Sequence, residues 1–305
     1  MRETNLEPQH LIYPLFVMEA EGRQAIDTLP GIARYGGQAL IDHAREALAR
    51  GITTFALFPV VDSALKTQGC EEAYNPDNLI SRTLKRLKEA LPEAGLMADV
   101  ALDPYNPNGQ DGFVAADGTV DNDKTLIALV AQAKVLAEAG ADIIGPSDMM
   151  DGRVRLIRDM LEAQGHERTL ILSYAAKYAS SLYGPFRDAV GSSTALVGDK
   201  KSYQMDPANR AEALREIQTD LEEGADWVMI KPGHSYLDIV ADCKATFGVP
   251  TFAYHVSGEY AMWAFAAAAG ALDRRASIRE ILLSFRRAGC DGVLTYAAFE
   301  AAEYL

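Results

Sequence analysis

The sequence is poor in cysteine and in positive charge, and it has no long apolar run. Its three cysteines, Cys70, Cys243 and Cys290, are scattered and form neither a disulfide framework nor a paired zinc-ligand spacing, which fits a reducing compartment. Lys and Arg number 29 against 43 Asp and Glu, for a net charge of −14. That balance argues against a nucleic-acid partner, because phosphate binding needs a basic face. The longest apolar stretch, residues 261–272, is too short to span a bilayer.

Several signatures of common enzyme classes are missing as well. There is no glycine-rich phosphate loop after the first predicted strand, no Walker A motif, no His-Glu-x-x-His and no Gly-x-Ser-x-Gly. The amino-terminal segment is polar and acidic, unlike a signal peptide. The sequence therefore predicts a cytoplasmic protein without membrane segments, and its chemistry has to come from residues outside these motifs.

The sequence does contain a regular alternation of short apolar, β-branched runs and helical patterns. We predict strands at residues 11–17, 53–60, 96–102, 142–145, 170–174, 227–231, 251–256 and 292–295. The helical patterns lie at 39–50, 79–90, 124–139, 153–164, 207–223, 236–247, 259–270 and 278–288. Glycine follows many of these helices, as is typical of helix C-termini. This α/β pattern predicts a single (β/α)8 TIM barrel at 11–305 with a short N-terminal segment at 1–10, and an open doubly wound sheet is the alternative.

Two lysines stand at predicted strand ends, where a barrel builds its active site. Lys231 closes the apolar run 227–231, and Lys177 lies just past the run 170–174. A lysine ending a buried strand is desolvated, and a second ammonium on a neighbouring strand repels it, so both effects lower its pKa and free a nucleophilic amine. The residues alone therefore indicate a class I aldolase-type enzyme that forms Schiff bases. A lone strand-end lysine can also simply be salt-bridged or snorkel to solvent.

Seven phrases, among them Ser173-Tyr-Ala-Ala-Lys177 and Met229-Ile-Lys-Pro-Gly233, occur in order along the chain. They lie at residues 99–105, 145–153, 173–180, 183–189, 203–209, 229–233 and 256–260. Together they resemble the 5-aminolevulinate dehydratase, or porphobilinogen synthase, family. The resemblance implies that two 5-aminolevulinate molecules condense with loss of two waters, in tetrapyrrole (haem) biosynthesis. It implies Schiff bases at Lys231, for the substrate that supplies the propionate side, and at Lys177, for the acetate side.

The resemblance also assigns carboxylate-binding side chains. It implies that Ser257 and Tyr296 bind the carboxylate of one substrate. It implies that Arg187, Lys200 and Gln204 bind the carboxylate of the other. These residue types suit the task, because a guanidinium forks onto a carboxylate and a hydroxyl donates a single hydrogen bond.

Proton transfer falls to a second group of residues by the same resemblance. Asp99 and Asp148, with Ser147, are expected to move protons and to orient the substrate amines. The small, polar, glycine-containing segment 191–202 is expected to close over the site as a lid that excludes water.

The metal-binding positions depart from the zinc-type members of the family, which carry three cysteines after the first aspartate. Here those positions are Ala101, Asp103 and Asp111. Thiolates suit zinc, whereas carboxylates suit magnesium or no tightly bound metal. We therefore expect a non-zinc, Asp-type variant without catalytic zinc or an organic cofactor, in which Asp103 and Asp111 either bind a hard cation weakly or stay unoccupied. Glu216 matches the acidic ligand of an allosteric magnesium site in some members.

Family members usually carry an N-terminal arm that supports a homo-octamer. Because only the short segment 1–10 precedes the first predicted strand, we expect a truncated arm, which makes a dimer or a hexamer an alternative to the octamer. His234, His255 and Ala297 also depart from the usual family residues. Two other functions stay open: a different Schiff-base aldolase with one essential lysine, and a non-catalytic paralogue that binds small keto acids.

Overall fold

A closed parallel β-barrel forms the centre of the protein, which is described here from a computed structural model covering residues 1–191 and 196–305. Within those residues the strands are β1 (Leu11–Val17), β2 (Gly22–Ala25), β3 (Ala33–Gly36), β4 (Thr54–Pro59), β5 (Gly95–Val100), β6 (Ile143–Pro146), β7 (Leu170–Lys177), β8 (Trp227–Lys231), β9 (Thr251–His255) and β10 (Gly292–Thr295). The barrel order is β1-β4-β5-β6-β7-β8-β9-β10, and β10 pairs back onto β1. The predicted (β/α)8 barrel is therefore confirmed.

Helices cover the outside of the barrel. They are α1 (Gly37–Ala49), α2 (Leu79–Ala90), α3 (Asn122–Glu138), α4 (Arg153–Ala163), α5 (Gly184–Ala189), α6 (Ala211–Glu222), α7 (Leu237–Phe247), α8 (Ser257–Ala268), α9 (Arg274–Ala288) and α10 (Ala298–Ala301). The short helices α5 and α10 escaped prediction because four to six residues are too few to show a helical period. No helix among the described residues combines the length and apolar character needed to cross a membrane.

A small hairpin that the sequence analysis missed extends the barrel beside β1. Strand β2 pairs antiparallel with β3, and β3 runs parallel to the end of β1. The residues of β2 are mostly exposed and polar, so they lack the apolar alternation that marks a strand. Arg34 of β3 donates to the carbonyls of Asp188 and Ala189 at 2.6 and 2.7 Å. The hairpin is thereby tied to α5 at the mouth of the barrel.

Aromatic side chains fill the barrel just below its carboxyl-terminal mouth. The Phe16 and Tyr296 rings stack with centroids 5.8 Å apart. Phe58 meets Phe186 edge to face at 5.3 Å and lies 6.4 Å from Tyr254. Strands of a parallel barrel are buried on both faces, which is why they appear in the sequence as continuous apolar runs. This aromatic layer forms the apolar bottom of the barrel mouth.

A local irregularity in β7 sets the position of its last residue. The register between β7 and β8 shifts between Ser173 and Ala176, because β7 carries one extra residue there. Such a bulge re-aims the residues that follow it. After the shift, Lys177 lies directly opposite Lys231.

Candidate active site

Both strand-end lysines line a single cavity at the carboxyl-terminal mouth of the barrel. Lys177 ends β7, Lys231 ends β8, and the two are register partners. Their side chains are buried, with 5% and 8% of their surface exposed. The cavity encloses about 540 Å³ of space that continues into solvent. A substrate that enters it therefore meets two primary amines on adjacent strands.

The Lys231 amine is surrounded by aromatic rings. Its Nζ atom lies 4.6 Å from the ring centre of Tyr254 and 5.0 Å from that of Tyr174. The rings of Tyr183 and Phe186 lie at 5.3 and 5.4 Å. Burial, reinforced by the nearby Lys177 charge and opposed by Asp99, lowers the pKa of Lys231 to about 7. A substantial fraction of this amine is consequently neutral near physiological pH.

The Lys177 amine has polar neighbours instead. It donates a hydrogen bond to the carbonyl of Ser147 and lies 3.6 Å from Oδ1 of Asp111. The other oxygen of Asp111 lies 2.9 Å from Nζ of Lys200. Although burial alone would raise it, the two ammonium groups hold the pKa of Asp111 below its usual value. A buried carboxylate thus links the Lys177 and Lys200 side chains.

Ser257 and Tyr296 line the cavity close to Lys231. The Tyr296 hydroxyl lies 2.7 Å from the hydroxyl of Tyr254, whose ring contacts the Lys231 amine. Oγ of Ser257 accepts from the Phe186 amide at 3.0 Å and donates to the Leu182 carbonyl at 3.2 Å. These contacts hold both hydroxyls at the edge of the cavity.

Arg187, Lys200 and Gln204 also line the cavity. Arg187 belongs to α5, whereas Lys200 and Gln204 belong to the segment that precedes α6. The backbone amide of Gln204 donates to the Lys200 carbonyl at 2.9 Å, so these two residues form one turn. The structure therefore brings together all five predicted carboxylate-binding residues around the two lysines.

Gln110, which the sequence analysis did not single out, holds the described part of the predicted lid. Its side-chain amide donates to the carbonyls of Val197 and Asp199 at 2.9 and 3.0 Å. Its side-chain oxygen accepts from the Tyr203 hydroxyl at 2.6 Å. The lid was predicted at 191–202, of which residues 192–195 lie outside the described residues. A glutamine in a loop carries no sequence signal for such a contact.

Asp99, Ser147 and Asp148 lie at the ends of β5 and β6. Burial raises the pKa of Asp99 to about 7, against the opposing charge of Lys231, and the Ser147 side chain hydrogen-bonds to it. Burial also raises the pKa of Asp148 to about 6, against the opposing charge of Arg153. Carboxyl groups whose pKa lies near neutrality suit proton transfer, because both protonation states are accessible.

The residues at the zinc-type positions do not fit a metal centre. Ala101 offers no ligand atom, and the Lys200 ammonium lies 3.4 Å from Asp103 and 2.9 Å from Asp111. A cationic side chain therefore already lies between the two carboxylates, where a metal would have to bind. Nowhere in residues 1–191 and 196–305 do three His, Cys, Asp or Glu side chains converge as metal ligands.

Glu216 lies away from this cavity, half-buried on α6. It borders a surface groove together with Glu212 and Asp151. Burial, with the nearby charges of Asp220 and Asp151, raises its pKa. A hydrated magnesium ion needs only one or two protein carboxylates, so this setting fits such an ion through Glu216 and water.

The fold and the cavity together define a class of enzyme. A parallel barrel that presents two register-paired lysines, one of them desolvated, captures carbonyl compounds as imines and forms or breaks bonds next to them. The family model described as Delta-aminolevulinic acid dehydratase matches residues 1–304. The chain belongs to this family.

Individual relatives resemble the chain along its whole length. The Delta-aminolevulinic acid dehydratase of Rhodobacter capsulatus is 52% identical over 305 residues, covering 100% of this chain and 92% of the relative. That of Bradyrhizobium diazoefficiens is 51% identical and covers 100% and 86%. The crystal structure of the Toxoplasma gondii ME49 enzyme in complex with its reaction product porphobilinogen is 50% identical, with a TM-score of 0.98 over 100% of this chain and 87% of that one.

Proposed function

We propose that this chain is a porphobilinogen synthase, a lyase that condenses two 5-aminolevulinate molecules into the pyrrole porphobilinogen and releases two waters. We assign the reaction to this cavity because Lys177 and Lys231 are paired across β7 and β8 and both side chains line it. Two tethered ketones beside each other turn a bimolecular condensation into a positioned one.

Lys231 binds one substrate as an imine. Its neutral amine attacks the ketone carbon, and the ketone oxygen leaves as water after it has received protons. Ser257 and Tyr296 bind the carboxylate of this substrate. The Tyr296 hydroxyl is hydrogen-bonded to Tyr254, whose ring contacts the Lys231 amine, so Tyr296 lies on the Lys231 side of the cavity. By the family resemblance, this substrate supplies the propionate side of the product.

Lys177 binds the second substrate, which supplies the acetate side. The Lys177 amine and Lys200 share the carboxylate of Asp111, so Lys200 lies beside a ketone held on Lys177. Together with Arg187 and Gln204, which line the same cavity, Lys200 binds the carboxylate of this substrate. A guanidinium and an ammonium compensate its charge inside a largely dry site.

Asp99, Asp148 and Ser147 transfer protons during imine formation and ring closure. The charges of both Lys231 and Lys177 act on Asp99, and the Ser147 backbone carbonyl accepts from Lys177. The Asp99 carboxyl is therefore placed to exchange protons at both amines, whereas the Ser147 carbonyl only orients Lys177. One carboxyl that serves both lysines suits a reaction in which two imines form in one cavity.

The cavity works without zinc in this proposal, as an Asp-type variant of the family. The Lys200 ammonium between Asp103 and Asp111 takes the place that a metal would need. We assign magnesium to Glu216 only, outside the reaction. Assembly as a homo-oligomer, whether an octamer, a hexamer or a dimer, and a cytoplasmic location remain predictions from the sequence.

The test is incubation with 5-aminolevulinate, a colour assay for the pyrrole, and borohydride reduction followed by mass mapping of the modified lysines. We expect pyrrole formation and adducts on Lys231 and Lys177. Lys134→Met is the matched control, because Lys134 is a partly exposed lysine on the outer helix α3 that does not line the cavity and lies 3.9 Å from Glu138. Absence of pyrrole, or an adduct pattern that omits Lys231, would contradict the proposal.

A further inference from the structure

Arg153 is a buried arginine that no part of the reaction described above uses. It is the first residue of α4, and only 3% of its surface is exposed. Its two terminal nitrogens lie 3.0 and 3.1 Å from the two carboxylate oxygens of Asp220 on α6. One of them also donates to Oγ of Ser173 at 3.2 Å. A buried charge is costly unless it is paired in this way.

The third nitrogen of Arg153 is directed elsewhere. Its Nε atom lies 3.6 Å from Oδ2 of Asp148, and neither atom has a hydrogen-bond partner among the described residues. Asp148 is fully buried, and its other oxygen accepts from the Met150 amide at 2.7 Å. The guanidinium is therefore held by Asp220 on one side and faces a proton-transfer carboxylate with its remaining N–H.

We propose that Arg153 is the positioning residue for Asp148: anchored by Asp220 on α6, it orients the Asp148 carboxylate and keeps it ionised inside the closed site. This inference rests on the proposed function, because it gives Asp148 the role of a proton acceptor. It adds that a residue outside the cavity, Asp220 on α6, acts through Arg153 on the charge state of Asp148.

The electrostatics around Asp148 agree with this geometry. The charged groups that face it are Arg153 from α4 and Asp111 from the loop after β5, while Asp220 from α6 acts through Arg153. Burial and Asp111 favour the neutral carboxyl, whereas Arg153 favours the carboxylate. Removing the Arg153 charge must raise the pKa of Asp148, and removing the Asp220 charge must lower it, because Asp220 then no longer neutralises Arg153.

These opposite directions provide the test. In Arg153→Met, we expect the acid limb of the kcat profile to move to higher pH by about one unit or more, and in Asp220→Asn to move to lower pH. The profile of kcat is used rather than kcat/KM, since kcat/KM also reports the free Lys231 amine. Arg153→Lys keeps the positive charge but loses the two-point contact with Asp220. The acid limb of its kcat profile should therefore stay near that of the wild type, while kcat falls about fivefold or more.

Arg158→Gln is the matched control, because Arg158 lies five residues further along α4 and pairs with Asp226 instead. This variant should lose stability without moving the limb. Shifts in the same direction in Arg153→Met and Asp220→Asn, or no shift in either, would overturn the inference. If Arg153→Met does not fold, Asp220→Asn and Arg153→Lys decide the question.

A second readout separates this inference from the proposed function. The carboxyl carbon of Asp148 can be titrated by NMR in protein labelled with ¹³C at aspartate, with Asp148→Asn to assign the signal. This titration does not need turnover. A wild type that makes no pyrrole would refute the proposed function, whereas an Asp148 titration that is unchanged in both variants would refute the role of Arg153.

Discussion

The two lysines at the barrel mouth, Lys177 and Lys231, are chemically identical and lie on adjacent strands, yet their surroundings differ. Four aromatic rings lie within 5.4 Å of the Lys231 amine, and no described carboxylate lies within ion-pair distance of it. Lys177 instead contacts a carbonyl and shares Asp111 with Lys200. One amine is thus activated mainly by desolvation, and the other is oriented by anions and acceptors. Burial alone therefore does not define the chemistry of a strand-end lysine.

The largest expected effect comes from removing either amine. Lys231→Met and Lys177→Met should each lower kcat by about 10⁴-fold or more, because each removes a covalent route. The comparison predicts a difference in trapping: Lys177→Met still yields a borohydride adduct on Lys231. Pyrrole assays with mass mapping check both points, and a variant within about tenfold of the wild type contradicts its assigned role.

The next largest effect concerns Asp111, the carboxylate that contacts Lys177 but not Lys231. Asp111→Asn leaves the Lys177 and Lys200 charges without their shared carboxylate, so kcat/KM should fall about 10²-fold. Adduct formation on Lys231 should be largely retained, because Asp111 makes no ion pair with that amine and is the weakest of the named charges that act on its pKa. Asp117→Asn, on an exposed turn, is the control. Equal loss of both adducts would show that the two lysine environments are not independent.

The pH dependence of imine formation at Lys231 follows from the lowered pKa of that amine. Only the neutral amine attacks, so the trapping rate at Lys231 should rise about tenfold per pH unit below neutrality and level off above a pH of about 7. The rate rises with pH and does not fall, because the unreactive ammonium form of Lys231 dominates below its pKa. Rapid borohydride quenching over a range of pH measures the rate. A rate that still climbs steeply well above neutrality would show that Lys231 is not desolvated in solution.

The smallest expected effect is that of a chelator. Because the Lys200 ammonium lies between Asp103 and Asp111, prolonged treatment with EDTA followed by return to magnesium-containing buffer should change kcat by less than about twofold near saturating substrate. Metal analysis before and after treatment accompanies the assay. Strong inhibition that only zinc reverses would contradict the proposed Asp-type site.

The barrel could be predicted because parallel strands buried on both faces leave an unambiguous apolar signal. The hairpin of β2 and β3 could not be, because Gly22–Ala25 is mostly exposed and contains no β-branched or aromatic residue. The bulge in β7 also escaped prediction, since the prediction ended that strand at residue 174 and not at Lys177. Irregular pairing depends on neighbouring strands and leaves no periodic trace in the sequence.

The candidate site likewise has features that the sequence predicted and features that it did not. Residue type and strand position pointed to Lys177 and Lys231, and the family resemblance supplied the side chains around them. Neither indicated that Asp111 lies between two ammonium groups, because Lys177 and Lys200 are far from it in the chain. Neither indicated that Arg153 faces Asp148, because the guanidinium is held there by Asp220, which lies 67 residues away on α6. Long-range electrostatic contacts have no local pattern that a sequence can display.

The pairing of Lys177 with Lys231 has a consequence for how two identical substrate molecules are distinguished. Neighbouring strands of a sheet run about 4.8 Å apart, so backbone hydrogen bonding fixes the positions from which the two lysine side chains extend. In the proposed reaction, each molecule of an identical pair takes its part in the product from the strand that carries it. In that reaction the asymmetry of the pyrrole comes from the barrel, whose two lysine environments differ before any substrate binds.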